Sequence, residues 1–107
     1  AFLFEELRRG AIGTMTGFAY PEVLVAVHKY IANGDIERAR SIFYKWIPLI
    51  RYENSVGIGL AIRKEIMKRR GFITTADIRP PSPPIDDSTR AELDDLMNSL
   101  DLNVVGL

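Results

Sequence analysis

Apolar residues recur at helical spacing along most of this chain, and the interruptions divide it into segments. Phe2, Leu3 and Leu7 share one face of a helix predicted over 2–9. Arg8 and Arg9 suit the negative end of its dipole, and Gly10 suits the residue just past its end. Ala11 to Met15 breaks the period. It is short, apolar at first and without polar alternation, which reads as a strand buried on both faces. Pro21, with Glu22 beside it, opens a helix whose inner face is Val23, Leu24, Val27, Tyr30 and Ile31. Asn33-Gly34 stops it.

Asp35 caps the next helix, which carries the longest apolar stripe: Ile36, Ala39, Ile42, Phe43, Trp46, Ile47 and Ile50. Pro48 falls inside the stripe and is expected to kink or split the helix. Asn54 or Ser55 is expected to open a fourth helix with Ile58, Ala61, Ile62 and Ile66 inside, ending at Gly71. "RPPSPP", Arg79 to Pro84, reads as an extended polyproline II strap. Asp86, Asp87 or Ser88 then caps a last helix with Leu93, Leu96, Met97 and Leu100 on its face. A single buried strand cannot satisfy its own backbone groups. Either 11–15 is a loop, or its sheet neighbours lie outside this chain. The abrupt start on Ala1-Phe2-Leu3-Phe4, with no polar cap, favours a cut through a longer protein.

The 107 residues bound the chain to one domain at most, and 47% apolar with 26% charged residues are globular proportions. Fourteen basic residues balance fourteen acidic ones, so charge gives no reason to expect a nucleic-acid or membrane-surface partner. The absence of cysteine removes disulfides and thiolate metal sites and fits a cytoplasmic protein.

Candidate chemistry is sparse. "GTMTG" lacks the lysine of a P-loop, since Phe18-Ala19-Tyr20 follows it. His28 is the only histidine, so a histidine-based metal site is not expected. Arg63, Lys64, Lys68, Arg69 and Arg70 cluster near one helix end and read as a solvated face complementing the dipole, partly paired with Glu65. "RPPSPP" has the PxxP spacing of SH3 ligands but reads more simply as a packed strap. No nucleophile–base set is recognisable. The residues alone describe a mostly helical domain, the tail of an α/β protein being one form of it.

The order of the segments resembles the dihydrodipicolinate synthase and N-acetylneuraminate lyase family. "GAIGTMTGFAYPEVLV" is similar to that family's eighth strand and following helix. Gly34-Asp35-Ile36-Glu37-Arg38-Ala39 matches a "GD-x-x-x-A" helix start, and Pro48-Leu49 a "PL" step. "IRKEIMKRRGFI" matches the next helix end, and Arg79-Pro80-Pro81 an "R-x-P" before a capped final helix. The family fold is a (β/α)8 TIM barrel with a helical C-terminal extension. A barrel typically needs roughly 250 residues, so the resemblance implies a mostly α fragment of one. On that reading 1–34 ends the barrel, with helix 7 at 1–9, strand 8 at 11–16 and helix 8 at 21–33. Residues 35–107 form the C-terminal helical extension.

The family's chemistry implies a class I aldolase or dehydratase. A lysine on the sixth strand forms a Schiff base with pyruvate or a related 2-oxo acid, a fifth-strand tyrosine moves protons, and a loop after the second strand holds the carboxylate. These parts lie upstream of Ala1. None of Lys29, Lys45, Lys64 or Lys68 stands in the catalytic lysine's place, so no catalytic residue is expected here. The resemblance carries over three substrate-binding residues, Ile12, Gly13 and Thr14, with Ile12 acting through its backbone and Thr14 through its hydroxyl. "MTGF" then departs from the family's "T-x-N" ending. No cofactor and no metal are implied. The expected partners are a 2-oxo acid and further copies of the chain, as a tetramer or dimer, in the cytoplasm. The alternative is a stand-alone helical interaction module that uses the 36–50 aromatic stripe as its interface.

Overall fold

The computed structural model describes all 107 residues and contains five helices. They are α1 (Leu3–Arg8), α2 (Pro21–Ala32), α3 (Ile36–Glu53), α4 (Gly59–Arg69) and α5 (Asp87–Ser99). α2 and α3 form a helical hairpin and make the most extensive contact in the molecule. α1 packs against both, while α4 and α5 lie against α3. The chain is therefore arranged around α3.

The sequence signals for helix ends act as they read. α2 closes in a Schellman motif: Asp35 N–H donates to the Tyr30 carbonyl at 2.9 Å and Gly34 N–H to Ile31 at 3.0 Å. Gly34 adopts a φ of +83°, which a side chain would strain. Gly10 ends α1 and Gly71 ends α4 with the same pair of bonds. The Asp35 carboxylate then accepts from Arg38 N–H at 3.1 Å and starts α3 directly after the turn. Asp86, one of the three expected caps, accepts from Thr89 N–H at 2.7 Å to start α5.

The α3 stripe is consumed in the core. Ala39, Ile42, Phe43, Trp46, Leu49 and Ile50 are all buried. They meet Leu3, Phe4 and Leu7 from α1, and Val23, Ala26 and Val27 from α2. Phe18, Ala19 and Tyr20, just before α2, complete this side. Tyr20 and Trp46 rings lie 4.7 Å apart, with Phe18 edge-on to Trp46 at 6.3 Å. The aromatic members Phe43 and Trp46 are therefore not available to an interface, while Ile36 and Ile47 of the stripe are half-buried.

Four expectations change. Pro48 does not split α3, which runs on to Glu53. The missing N–H forfeits one helical bond, and the burial of Leu49, Ile50 and Glu53 beyond it holds the last turn in place. The fourth helix begins at Gly59 rather than at Asn54 or Ser55. Residues 54–58 turn tightly there, and Gly59 passes so close to α3 that a Cβ would lie 2.4 Å from the Glu53 carbonyl oxygen. Ala11 to Met15 is not a strand: it has no secondary structure, and most of its surface is exposed. A ladder needs a neighbouring strand, and this chain supplies none. "RPPSPP" is irregular, with a turn at Pro80-Pro81 interrupting the expected strap.

α5 is the most lightly held helix. Leu93 is its one fully buried residue, helped by half-buried Leu96 and Met97 and by Tyr52 of α3. The Tyr52 hydroxyl donates to Glu92 at 2.7 Å, and burial together with that carboxylate pushes the phenol up to about 12. Leu93→Ala should cost about 2–5 kcal/mol in urea unfolding. Because nothing else on α5 is fully buried, amide exchange should accelerate across 87–99 before it does in α3.

Candidate functional site

The segment between α1 and α2 carries the three residues singled out from sequence. Ala11 N–H closes α1 by donating to the Glu6 carbonyl at 3.2 Å. The Ile12 carbonyl faces His28 Nε2 at 3.3 Å. From Gly13 to Thr16 the backbone makes no hydrogen bond within the chain. Ile12 and Met15 are almost wholly exposed, at 98% and 102%.

Gly13 and Thr14 come together in a cleft of about 300 Å³, facing Ala1, Phe2, Leu3 and Glu6. Thr14 also borders a cleft of about 320 Å³ against Leu24, Val25 and His28. Ile12 is not brought to either. It lines a third hollow with Leu7, His28 and Ile31. The three residues thus share one exposed stretch of chain without converging on one cavity.

Downstream the same stretch is held firmly. Glu53, at the end of α3, is 1% exposed. It accepts from Ala19 N–H at 2.9 Å on one oxygen and from Arg63 Nε on the other. Arg63 also donates to the Gly17 carbonyl at 3.1 Å. A Cβ on Gly17 would stand 2.2 Å from the guanidinium, so any other residue there would have to push the arginine aside. A second arginine acts beside it. Arg70 donates to the Ala19 carbonyl and to both oxygens of Glu22, with its guanidinium 4.0 Å from the centre of the Tyr20 ring.

This corrects the expectation of a solvated basic face. Arg63 and Arg70 turn toward buried or half-buried acids, while Arg69 makes the expected pair with Glu65 at 3.0 Å and a further one with Asp94. Arg90 reaches Glu65 as well, at 3.1 Å. Lys68 alone of the cluster makes no ion pair or hydrogen bond. Glu53 itself was not singled out from sequence. Its signal was present: it continues the Ile42, Trp46, Leu49 and Ile50 face at helical spacing, and an acid on a buried face needs a cation.

The acids respond to their surroundings in opposite directions. Burial raises the Glu53 carboxyl above its ordinary value, with Arg63 and the Ala19 amide offsetting part of the rise. The Arg70 bonds hold Glu22 below its ordinary value. No group of three or more His, Cys, Asp or Glu residues is arranged to hold a metal ion. Lys45 pairs with Asp101 at 3.2 Å, and the Lys64 ammonium donates to the Asp77 carbonyl at 2.7 Å. No helix is long and apolar enough to cross a membrane.

No family model matches the chain. Two known proteins do. A crystal structure of dihydrodipicolinate synthase from Rhodopseudomonas palustris superposes with a TM-score of 0.87 at 40% identity, over 92% of this chain and 33% of that one. The L-2-keto-3-deoxyarabonate dehydratase of Azospirillum brasilense is 32% identical over 99 residues, 92% of this chain and 32% of the dehydratase. Both matches bear out the resemblance to the dihydrodipicolinate synthase and N-acetylneuraminate lyase family over nearly the whole of this chain. It spans about a third of the length of these relatives, and its fold is the mostly helical one of part of a TIM barrel. The unpaired 11–16 segment is intelligible on that basis, since two thirds of the matched structure is not represented here.

The opposite shifts of Glu22 and Glu53 predict the acid limb of stability. Folding favours the ionised form of Glu22, whose folded value lies below the ordinary 4.5. Its contribution is complete above that value and is lost as pH falls through the folded one. Glu53, raised by burial, binds its proton more readily in the fold, so acid does not weaken the fold through this group. Glu22→Gln should therefore flatten the fall in melting temperature below the ordinary glutamate value, as read by circular dichroism against pH.

Proposed function

We propose that this chain is the C-terminal part of a class I aldolase or dehydratase that acts on pyruvate or a related 2-oxo acid through a lysine Schiff base. The observation that carries the reading is the superposition on dihydrodipicolinate synthase at 40% identity. The dehydratase match points the same way, since its name is that of an enzyme removing water from a 2-keto-3-deoxy acid. In a Schiff base the iminium draws electrons from the neighbouring carbon, which serves both water loss and carbon–carbon bond chemistry.

On this reading residues 1–34 complete the barrel and 35–107 form the helical extension. The catalytic lysine lies outside the chain. Such a lysine requires an apolar, desolvated setting to be nucleophilic at neutral pH. Lys29, Lys45 and Lys68 are exposed, and the Lys64 ammonium is engaged with a carbonyl. The exposed Ile12, Gly13 and Thr14 are then the chain's contribution to the substrate pocket. The C-terminal ends of strands form the active face of such barrels, which is where an eighth-strand segment would place them. Thr14 offers a hydroxyl that can donate and accept, suited to a hydroxylated substrate tail. The Ile12 carbonyl offers an acceptor once His28 releases it. The complete protein is a homo-oligomer, tetramer or dimer, of the cytoplasm.

The test is covalent trapping. Incubated with pyruvate and borohydride and then weighed, the 107-residue chain should gain no adduct. The full-length protein should gain one, on a lysine outside these residues. An adduct on Lys29, Lys45, Lys64 or Lys68 would overturn the assignment of chemistry to the missing part.

A further inference from the structure

The largest cavity in the molecule, about 470 Å³, lies between α4, the segment 75–85 and the start of α5. Small-molecule sites usually measure roughly 300–1,000 Å³. α4 brings Ala61, Glu65 and Lys68 to it, at a spacing that puts them on one side of the helix. Arg63 and Arg70, which hold the segment before α2, project from the opposite side. The walls are joined to one another within this chain. The Lys64 ammonium donates to the Asp77 carbonyl at 2.7 Å, Arg90 reaches Glu65 at 3.1 Å, and Leu93 anchors α5 in the core.

The polar groups of this cavity have capacity left over. Glu65 is only 5% exposed, and Arg69 and Arg90 both meet the same oxygen, Oε1. Oε2 accepts no hydrogen bond, yet it is not sealed in, since Trp46 Nε1 is the one fully buried side-chain polar atom without a partner. With Glu65 in the cavity wall, Oε2 is an acceptor open to what enters. Burial alone would raise this carboxyl, but the Arg69 bond and the charges of Arg69, Arg90 and Lys68 hold it below its ordinary value. It is therefore ionised at neutral pH. Asp77 makes its two bonds through its backbone, and its carboxylate makes none. The Thr75 hydroxyl accepts from Asp77 N–H at 3.1 Å and keeps its own proton to donate. Ile78, Pro84 and Ile85 give the cavity an apolar wall.

We propose that this cavity binds a polyhydroxylated carboxylate of the sugar-acid class, with the ligand's carboxylate on Lys68 and Arg90 and its hydroxyls on Glu65 Oε2, Asp77 and Thr75. The charge balance selects this class. Arg69 and Arg90 offset Glu65 and Asp94, which leaves one cation, Lys68, and one anion, Asp77. A plain anion meets Lys68 but is repelled by Asp77. A hydroxylated acid satisfies both, because ionised carboxylates are strong acceptors for hydroxyl donors. Its carbon chain then lies against the apolar wall. An amino acid matches the charges but brings one donor centre to acceptors on two walls, Glu65 on α4 and Asp77 on the segment after it.

The experiment is calorimetric titration of the full-length protein with D-gluconate as the probe, and it does not depend on the Schiff-base reading. The wild type should show saturable binding. Lys68→Met and Asp77→Ala should each weaken it about tenfold or more, the loss expected for one charged hydrogen-bond partner. Lys68→Arg, which keeps the cation, should retain binding. Lys29→Met removes the same charge from the exposed side of α2 and should change nothing. Acetate and alanine, which lack the hydroxyls, should bind about tenfold more weakly than gluconate. Absence of saturable gluconate binding overturns the proposal. So does an affinity that either Lys68→Met or Asp77→Ala leaves unchanged, which puts the bound gluconate elsewhere on the protein. Acetate or alanine binding as tightly as gluconate overturns it as well, because the hydroxyls are then not what the cavity reads.

Discussion

Glu53 is the residue whose removal would undo the most. Its carboxylate is buried at the end of the central helix, and a buried charge persists only when paired and hydrogen-bonded. Arg63 and the Ala19 amide meet that requirement from two other parts of the chain. One acid thereby fixes three things: where α3 ends, how α4 lies beside it, and where the chain enters α2. Removing Arg63 would leave that acid buried without its counter-charge, a change that typically costs about 3–5 kcal/mol. Arg70 repeats the arrangement about two helical turns on, bonding Glu22 and the Ala19 carbonyl while covering the Tyr20 ring.

These electrostatic ties sit at the edge of an apolar core that supplies most of the stabilisation. The core is local in sequence. α2 and α3 are joined by Asn33, Gly34 and Asp35 alone, and α1 folds back on both. The later elements are attached more sparingly. α4 contributes Ile62 and Ile66, and α5 contributes Leu93, while ion pairs among Glu65, Arg69, Arg90 and Asp94 join the two. The Arg69–Asp94 pair is partly exposed and adds little, whereas Arg90 meets the buried Glu65, so the grip on α5 rests on that acid and on Leu93.

Helices were legible where their rules are local. Gly10, Gly34 and Gly71 announce their turns, Asp35 and Asp86 announce their caps, and the stripe from Ile36 to Ile50 names the core. Two features were misread because they depend on contacts distant in sequence. Ala11 to Met15 has the composition of a buried strand but no neighbour here to pair with, so composition outran context. The arginines of "IRKEIMKRRG" looked like a solvated end because their partners Glu53 and Glu22 lie 10 and 48 residues away. The residues proposed to face substrate were legible only through family resemblance. Nothing in the types Ile, Gly and Thr distinguishes a pocket wall from ordinary packing.

Trp46 gives the molecule a built-in reporter. It is the chain's single tryptophan, fully buried, with its indole N–H bonded to nothing and the Tyr20 ring 4.7 Å away. Tyr20 is the residue that Arg70 covers and that follows the amide held by Glu53. An indole so shielded from water emits at short wavelength, and its emission moves to the red when solvent reaches it. The optical signal of this chain therefore originates beside the junction where Glu53, Arg63 and Arg70 grip the segment before α2. Loosening at that junction can be followed by light alone, without attaching a label.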